Sequence, residues 1–132
     1  MAAKSVLLVE DEDGIALALE YLISRQGYET RRVADGNAAL RAMEEARPDL
    51  VVLDVMIPER SGYEVCQIMR RDEGLKDVKV LMMTASGGEV ERRKGLALGA
   101  DAFLSKPFAT ADLTAQIRAL LGGETGCMTG SG

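Results

Sequence analysis

Residues 51–58 read VVLDVMIP. Three apolar residues run straight into Asp54, and apolar residues then resume up to Pro58. A short continuous apolar run suits a strand covered on both faces of a parallel sheet. A carboxylate at the end of such a strand is expensive unless it is paired, bound to metal or put to chemical use. The fold follows from the first half of that observation and the function from the second.

Four other short runs share the pattern: SVLLV at 5–9, YETRRV at 28–33, VKVLMM at 78–83 and AFLS at 102–105. The run at 28–33 is the most polar and reads as an edge strand. Between the runs, apolar residues recur at helical spacing. Ile15, Leu19, Leu22 and Ile23 mark one helix, and Leu113, Ile117, Leu120 and Leu121 mark another near the C-terminus. Val65, Ile68 and Met69 mark a third, and Ala39, Leu40 and Met43 a fourth, with Asp35 as its N-cap and Pro48 beyond its end. The segment 88–99, GEVERRKGLALG, is the poorest helix, highly charged and interrupted by Gly95. Strands alternating with helices predict an α/β fold: a doubly wound, five-stranded parallel sheet in the flavodoxin-like order 2-1-3-4-5, with helices on both faces.

At 132 residues the chain suits one domain, spanning 1–121, followed by a Gly-rich tail or linker at 122–132. Aromatic residues make up 4%, so the core must be built from Val, Leu, Ile, Met and Ala. The net charge of −5 argues against direct nucleic-acid binding by this domain, which would need a basic patch. The absence of histidine excludes a Ser-His-Asp triad, and the two cysteines have no metal-ligand spacing. Cys66 reads as a small buried hydrophobe, and Cys127 lies in the Gly-rich tail. No signal peptide or membrane-length apolar run is present, so the expected setting is cytoplasmic, with no membrane partner.

In a doubly wound sheet, chemistry collects at the carboxyl ends of the strands. The ends here read LVEDED, VVLDVM, LMMTAS and FLSKPF, which brings Glu10, Asp11, Asp54, Thr84 and Lys106 to one crevice. Two carboxylates about 4 Å apart repel by roughly 4 kcal/mol at an effective dielectric near 20, and Lys106 offsets one charge at most. The cluster therefore calls for a hard divalent cation on oxygen ligands, Mg²⁺ or alternatively Mn²⁺. Glu12 and Asp13 instead suit the first turn or cap of the following helix.

These motifs, VED after strand one, LDVMIPERSG around strand three, TA after strand four and KPF after strand five, resemble those of a response-regulator receiver domain of two-component signalling. The resemblance covers residues 5 to about 121. It implies that Asp54 accepts a phosphoryl group and that Glu10, Asp11, Asp54 and the Met56 backbone carbonyl hold Mg²⁺. It also implies that Thr84 and Lys106 contact the phosphoryl oxygens and that the Lys106–Pro107 peptide is cis. Thr84, Ala85 and the strand-five aromatic Phe103 would form the switch, although Phe103 also reads simply as core. Met56 and Ser86 would flank the path of the hydrolytic water, and an apolar Met56 predicts slow self-dephosphorylation. The implied partners are a sensor histidine kinase or histidine phosphotransfer protein, and a downstream protein target or output domain. Such a protein catalyses its own phosphorylation and dephosphorylation without being a turnover enzyme.

Other classes fit less well. A haloacid-dehalogenase-type phosphatase carries D-x-D after its first strand, whereas here Asp54 follows the third strand and position 56 is Met. A flavin or nucleotide binder needs a Gly-rich phosphate loop after strand one, where VEDEDG presents carboxylates. The output reads as a stand-alone receiver or, alternatively, the receiver half of a DNA-binding transcriptional regulator. Receivers of that second type usually carry an acid and an arginine where this chain has Ala102 and Gln116, so the expected state is a monomer or a weak phosphorylation-dependent dimer.

Overall fold

The computed structural model describes residues 3–85 and 88–122, and strands and helices alternate strictly along it. In chain order the elements are β1 (Ser5–Val9), α1 (Asp13–Arg25), β2 (Glu29–Val33), α2 (Gly36–Glu45), β3 (Leu50–Asp54), α3 (Gly62–Arg71), β4 (Lys79–Thr84), α4 (Glu89–Ala97), β5 (Ala102–Ser105) and α5 (Thr110–Leu120). The five strands form one parallel sheet in the order β2-β1-β3-β4-β5. The expected α/β fold, strand order and edge position of the polar second run are all observed. Two strands differ in their bounds by one residue: β2 begins at Glu29 rather than 28, and β4 spans Lys79–Thr84 rather than 78–83. The Val78 amide is committed to a turn, donating to the Leu75 carbonyl at 3.0 Å, so β4 cannot begin there.

Side chains alternate across the sheet as strand geometry requires. On one face Val6, Leu8, Leu50, Val52, Leu81 and Met83 pack against α1 and α5. On the other, Leu7, Val9, Val51, Leu53, Val80 and Met82 pack against α2 and α3. All five residues of β3 are buried, which explains the apolar run Leu50–Leu53 that leads into Asp54. Cys66 is buried in the second of these clusters, as expected for a small hydrophobe.

The helix ends follow local chemistry. The Asp35 carboxylate accepts the Ala38 amide and caps α2. Ser61 and Glu64 form a reciprocal capping box at the start of α3. Glu12 holds the N-cap position of α1 without a side-chain cap bond, and Asp13 lies in the first turn.

Two features were not legible as such. Arg70 ties α3 to two loops, donating to the carbonyls of Lys76, Val78 and Gly99 and pairing with Asp101 at 3.0 Å. Gly95, which reads as an interruption of α4, is that helix's sole buried residue. A Cβ there would lie 3.0 Å from the Phe103 ring and 3.1 Å from the Met82 sulfur, so glycine lets the helix approach the sheet closely. No helix of the described residues is long and apolar enough to cross a membrane. The expected Gly-rich tail, with Cys127, lies from residue 123 onward outside the described residues.

Candidate functional site

Because the sheet is parallel, every strand delivers its next residue to the same edge. Val9 pairs with Leu53, which sets Glu10 beside Asp54. Thr84 pairs with Ser105, which sets Lys106 just beyond it. The cleft at this edge has a volume of about 480 Å³ and is lined by Glu10, Asp11, Glu12, Ile15, Asp54, Met56, Ala85 and Lys106.

Its polar groups are unusually well covered. Glu10 is 1% exposed, Asp54 4% and Thr84 2%. Lys106 Nζ donates to Asp54 Oδ2 at 2.8 Å and to Glu10 Oε1 at 3.0 Å. The lysine expected to offset one charge is therefore shared between two carboxylates. The Met56 amide donates to Asp54 Oδ1 at 3.0 Å, and the Glu12 amide to Glu10 Oε2 at 3.2 Å. Burial, the largest influence, pushes the Glu10 carboxyl above its ordinary value of 4.5; the Lys106 bond opposes this and the Asp54 charge adds to it. Burial alone would lower the Lys106 ammonium, but its bonds to Asp54 and Glu10 outweigh that and hold it above its ordinary value.

One oxygen from each of Glu10, Asp11 and Asp54 can be chosen so that all three lie within 4.8 Å of one another. An all-carboxylate donor set with no sulfur or nitrogen suits a hard cation of the Mg²⁺ or Mn²⁺ type. The three acids predicted to hold a metal thus converge, and one of them, Asp11, is exposed to solvent.

The remaining candidates fall as follows. Thr84 ends β4 at the cleft edge, and its carbonyl accepts the Lys106 amide at 2.7 Å. Ala85 is exposed beside it. The Met56 side chain is 73% exposed at the rim. Ser86 lies outside the described residues. The Lys106–Pro107 peptide is cis. Phe103 lies on β5 but away from the acids, half-buried against the core cluster and against Gly95, as its core reading requires.

Two residues that shape the site were not singled out from sequence. Gly62, the first residue of α3, donates its amide to the Val55 carbonyl at 2.9 Å. A Cβ on it would lie 2.5 Å from the Asp54 carbonyl oxygen and 2.9 Å from Val55 Cα, so only glycine lets α3 start this close to the strand. The available signal was a glycine directly after the Ser61 cap. Arg32 of β2 reaches the turn after β1, donating from Nε to the Glu10 carbonyl at 2.9 Å, and gave no signal in the sequence.

Comparison with known proteins agrees with this geometry. The chain is 40% identical over 118 residues to the alkaline phosphatase synthesis transcriptional regulatory protein PhoP of Bacillus subtilis, a match covering 89% of this chain and 48% of the relative. The chain spans about half the length of the curated relatives it matches. A putative response regulator from Chloroflexus aurantiacus superposes with a TM-score of 0.87 at 33% identity, covering 91% of this chain and 98% of that one. The receiver domain of a Pseudomonas aeruginosa sensor histidine kinase, solved with a magnesium ion coordinated in its active-site cleft, gives a TM-score of 0.84 at 30% identity, covering 92% and 99%. The family model for the response regulator receiver domain matches residues 6–118, and the chain belongs to that family.

Proposed function

We propose that this domain accepts a phosphoryl group on Asp54 from a sensor histidine kinase or histidine phosphotransfer protein, in a Mg²⁺-dependent transfer. The observation that carries the reading is the convergence of three carboxylates at the end of a fully buried strand, two of them bonded to one ammonium. An Asp54 carboxylate oxygen attacks phosphorus, forming an acyl phosphate as the donor's phosphorus–nitrogen bond breaks and its imidazole leaves. Such a transfer needs positioning and charge neutralisation more than covalent machinery. The Met56 amide and Lys106 fix the Asp54 carboxylate from two sides. Glu10, Asp11 and Asp54, with the Met56 carbonyl, would hold the cation. Bound there, Mg²⁺ or Mn²⁺ would draw charge from the phosphoryl oxygens. Lys106 and the Thr84 hydroxyl would take the remaining oxygens, and one phosphoryl group per Asp54 makes the domain a switch rather than a turnover enzyme.

An apolar groove beside the acids, lined by Ile15, Ala18, Leu22, Pro107 and Phe108, gives the donor protein a surface to rest on. The exposed thioether of Met56 at the rim gives a hydrolytic water nothing to bond, so the phosphorylated state is long-lived. A phospho-lifetime as short as that of the fastest receivers would refute this. Thr84, Ala85 and Phe103 form the route by which phosphorylation alters the α4–β5–α5 face for a downstream target. A second reading of the output, the receiver part of a longer DNA-binding regulator, draws support from the transcriptional regulators that the chain matches over about half their length.

The test is intact mass after incubation with acetyl phosphate, with and without Mg²⁺, on the wild type and Asp54→Asn. The expected result is one Mg²⁺-dependent phosphoryl adduct, absent from the variant. An adduct that persists in Asp54→Asn would assign the chemistry to another residue.

A further inference from the structure

Arg32 occupies the second-last position of an edge strand, yet only 22% of its side chain is exposed. Nε donates to the Glu10 carbonyl at 2.9 Å, and Nη1 lies 2.9 Å from Asp13 Oδ1. These two acceptors bracket residues 10–13, the turn that carries Glu10 and Asp11. The Glu10 amide is also held by β2, donating to the Val33 carbonyl at 3.1 Å. Asp11 makes no hydrogen bond to any described residue, so its placement depends on the backbone of its neighbours.

The arrangement has two costs. Arg32 Nη2 is buried with no hydrogen-bond partner among the described residues, which works against stability. A guanidinium beside the acids also works against binding a cation by simple charge.

We propose that Arg32 is a positioning residue for the divalent cation: its two-pronged clamp on residues 10–13 holds the Glu10 and Asp11 carboxylates in place over Asp54. The inference rests on the reading of the cleft as a Mg²⁺ site. Ligand groups held by outer partners in this way commonly lose affinity on the order of tenfold when the partner is removed. Charge and positioning give opposite signs here. Removing the guanidinium should tighten Mg²⁺ binding if its charge is what matters, and weaken it if its clamp is what matters.

The experiment is calorimetric titration of Mg²⁺ into the wild type, Arg32→Met, Arg32→Lys and Asp13→Ala at high salt, where the exposed Asp13 charge is screened. Melting in EDTA is followed in parallel. Arg32→Met should bind Mg²⁺ about tenfold more weakly without melting earlier in EDTA. Arg32→Lys should also bind more weakly, because one ammonium cannot fork to both acceptors. Asp13→Ala should show a smaller loss, since it removes the acceptor of only one prong, and it carries the test if Arg32→Met fails to fold. Wild-type binding with Arg32→Met equal or tighter, or with Arg32→Lys unchanged, overturns the clamp. A wild type that binds no Mg²⁺ overturns the site reading and the clamp with it.

Discussion

Replacing Lys106 with Met tests the electrostatic account of the cleft most directly. The ammonium bridges Glu10 and Asp54, which are 1% and 4% exposed, and its removal leaves two buried carboxylates facing each other. At the 4.8 Å limit of their separation, and an effective dielectric of about 20, they repel by about 3.5 kcal/mol. Protonation of one acid sets a ceiling on that cost. A carboxyl of ordinary value 4.5 takes up a proton at pH 7 for about 3.4 kcal/mol. The two routes agree, so Lys106→Met should lose about 3 kcal/mol of stability at pH 7 without metal, a large share of a typical domain's total.

The pH dependence has a definite sign. At pH 5 the same proton costs only about 0.7 kcal/mol, so the deficit should shrink to under about 1 kcal/mol. Stability of the variant relative to wild type therefore falls as pH rises from 5 to 7, because its native state holds a proton that its unfolded state has released. Urea unfolding in EDTA at the two pH values reads both numbers, and saturating Mg²⁺ should recover most of the loss at pH 7. A variant within about 1 kcal/mol of wild type at pH 7, or equally destabilised at both pH values, would refute the reasoning.

Gly62→Ala should destabilise by about 2 kcal/mol, because the added Cβ meets the Asp54 carbonyl and Val55 Cα, backbone atoms that no rotamer can move aside. It should also weaken Mg²⁺ binding by displacing Asp54, and equal stability of variant and wild type in urea would exclude the clash. Tyr63 of α3 donates its hydroxyl to Glu91 of α4, and burial followed by that carboxylate pushes the phenol up to about 12 from 10.0. The native state then keeps a proton that the unfolded chain has lost, so stability is intact below pH 10.0 and falls as pH rises toward about 12. Tyr63→Phe should remove both that decline and an absorbance step near pH 12, and persistence of the step would place the shifted phenol elsewhere.

The parts of this protein that were legible in its sequence are those encoded within single elements. β1 and β3 read as buried strands because both their faces are covered, and burial of both faces leaves an apolar run. Asp35 and Pro48 marked α2 because capping is chemistry between near neighbours. The site acids were legible because a parallel sheet sends every strand's next residue to the same edge, so the fold alone brings Glu10, Asp54, Thr84 and Lys106 together. Contacts that join elements distant in sequence were not legible. Arg32 and Arg70 gave no signal in the sequence, and Gly95 read as a break in a helix. Each is explained by a partner at least eight residues away in sequence, and often by a backbone carbonyl, which every residue carries and none advertises.

The same geometry suggests how a change at Asp54 would travel. Lys106 already divides its ammonium between Glu10 and Asp54, so an Asp54 that becomes an acyl phosphate moves negative charge outward and forces that division to change. Lys106 is not free to follow alone. Its amide is bonded to the Thr84 carbonyl, so a shift of the β5 end is felt at the end of β4, from which the chain runs on to α4. α4 is the helix least able to resist: Gly95 is its single buried residue, and its side-chain tie to α3 is Tyr63, bonded to Glu91 and covered by the Lys94 ammonium 4.4 Å from its ring centre. A helix held by so little buried area has a low free energy of local rearrangement. On the proposed reading, the buried charge that makes Asp54 costly in the resting fold lies one strand end away from the element cheapest to move.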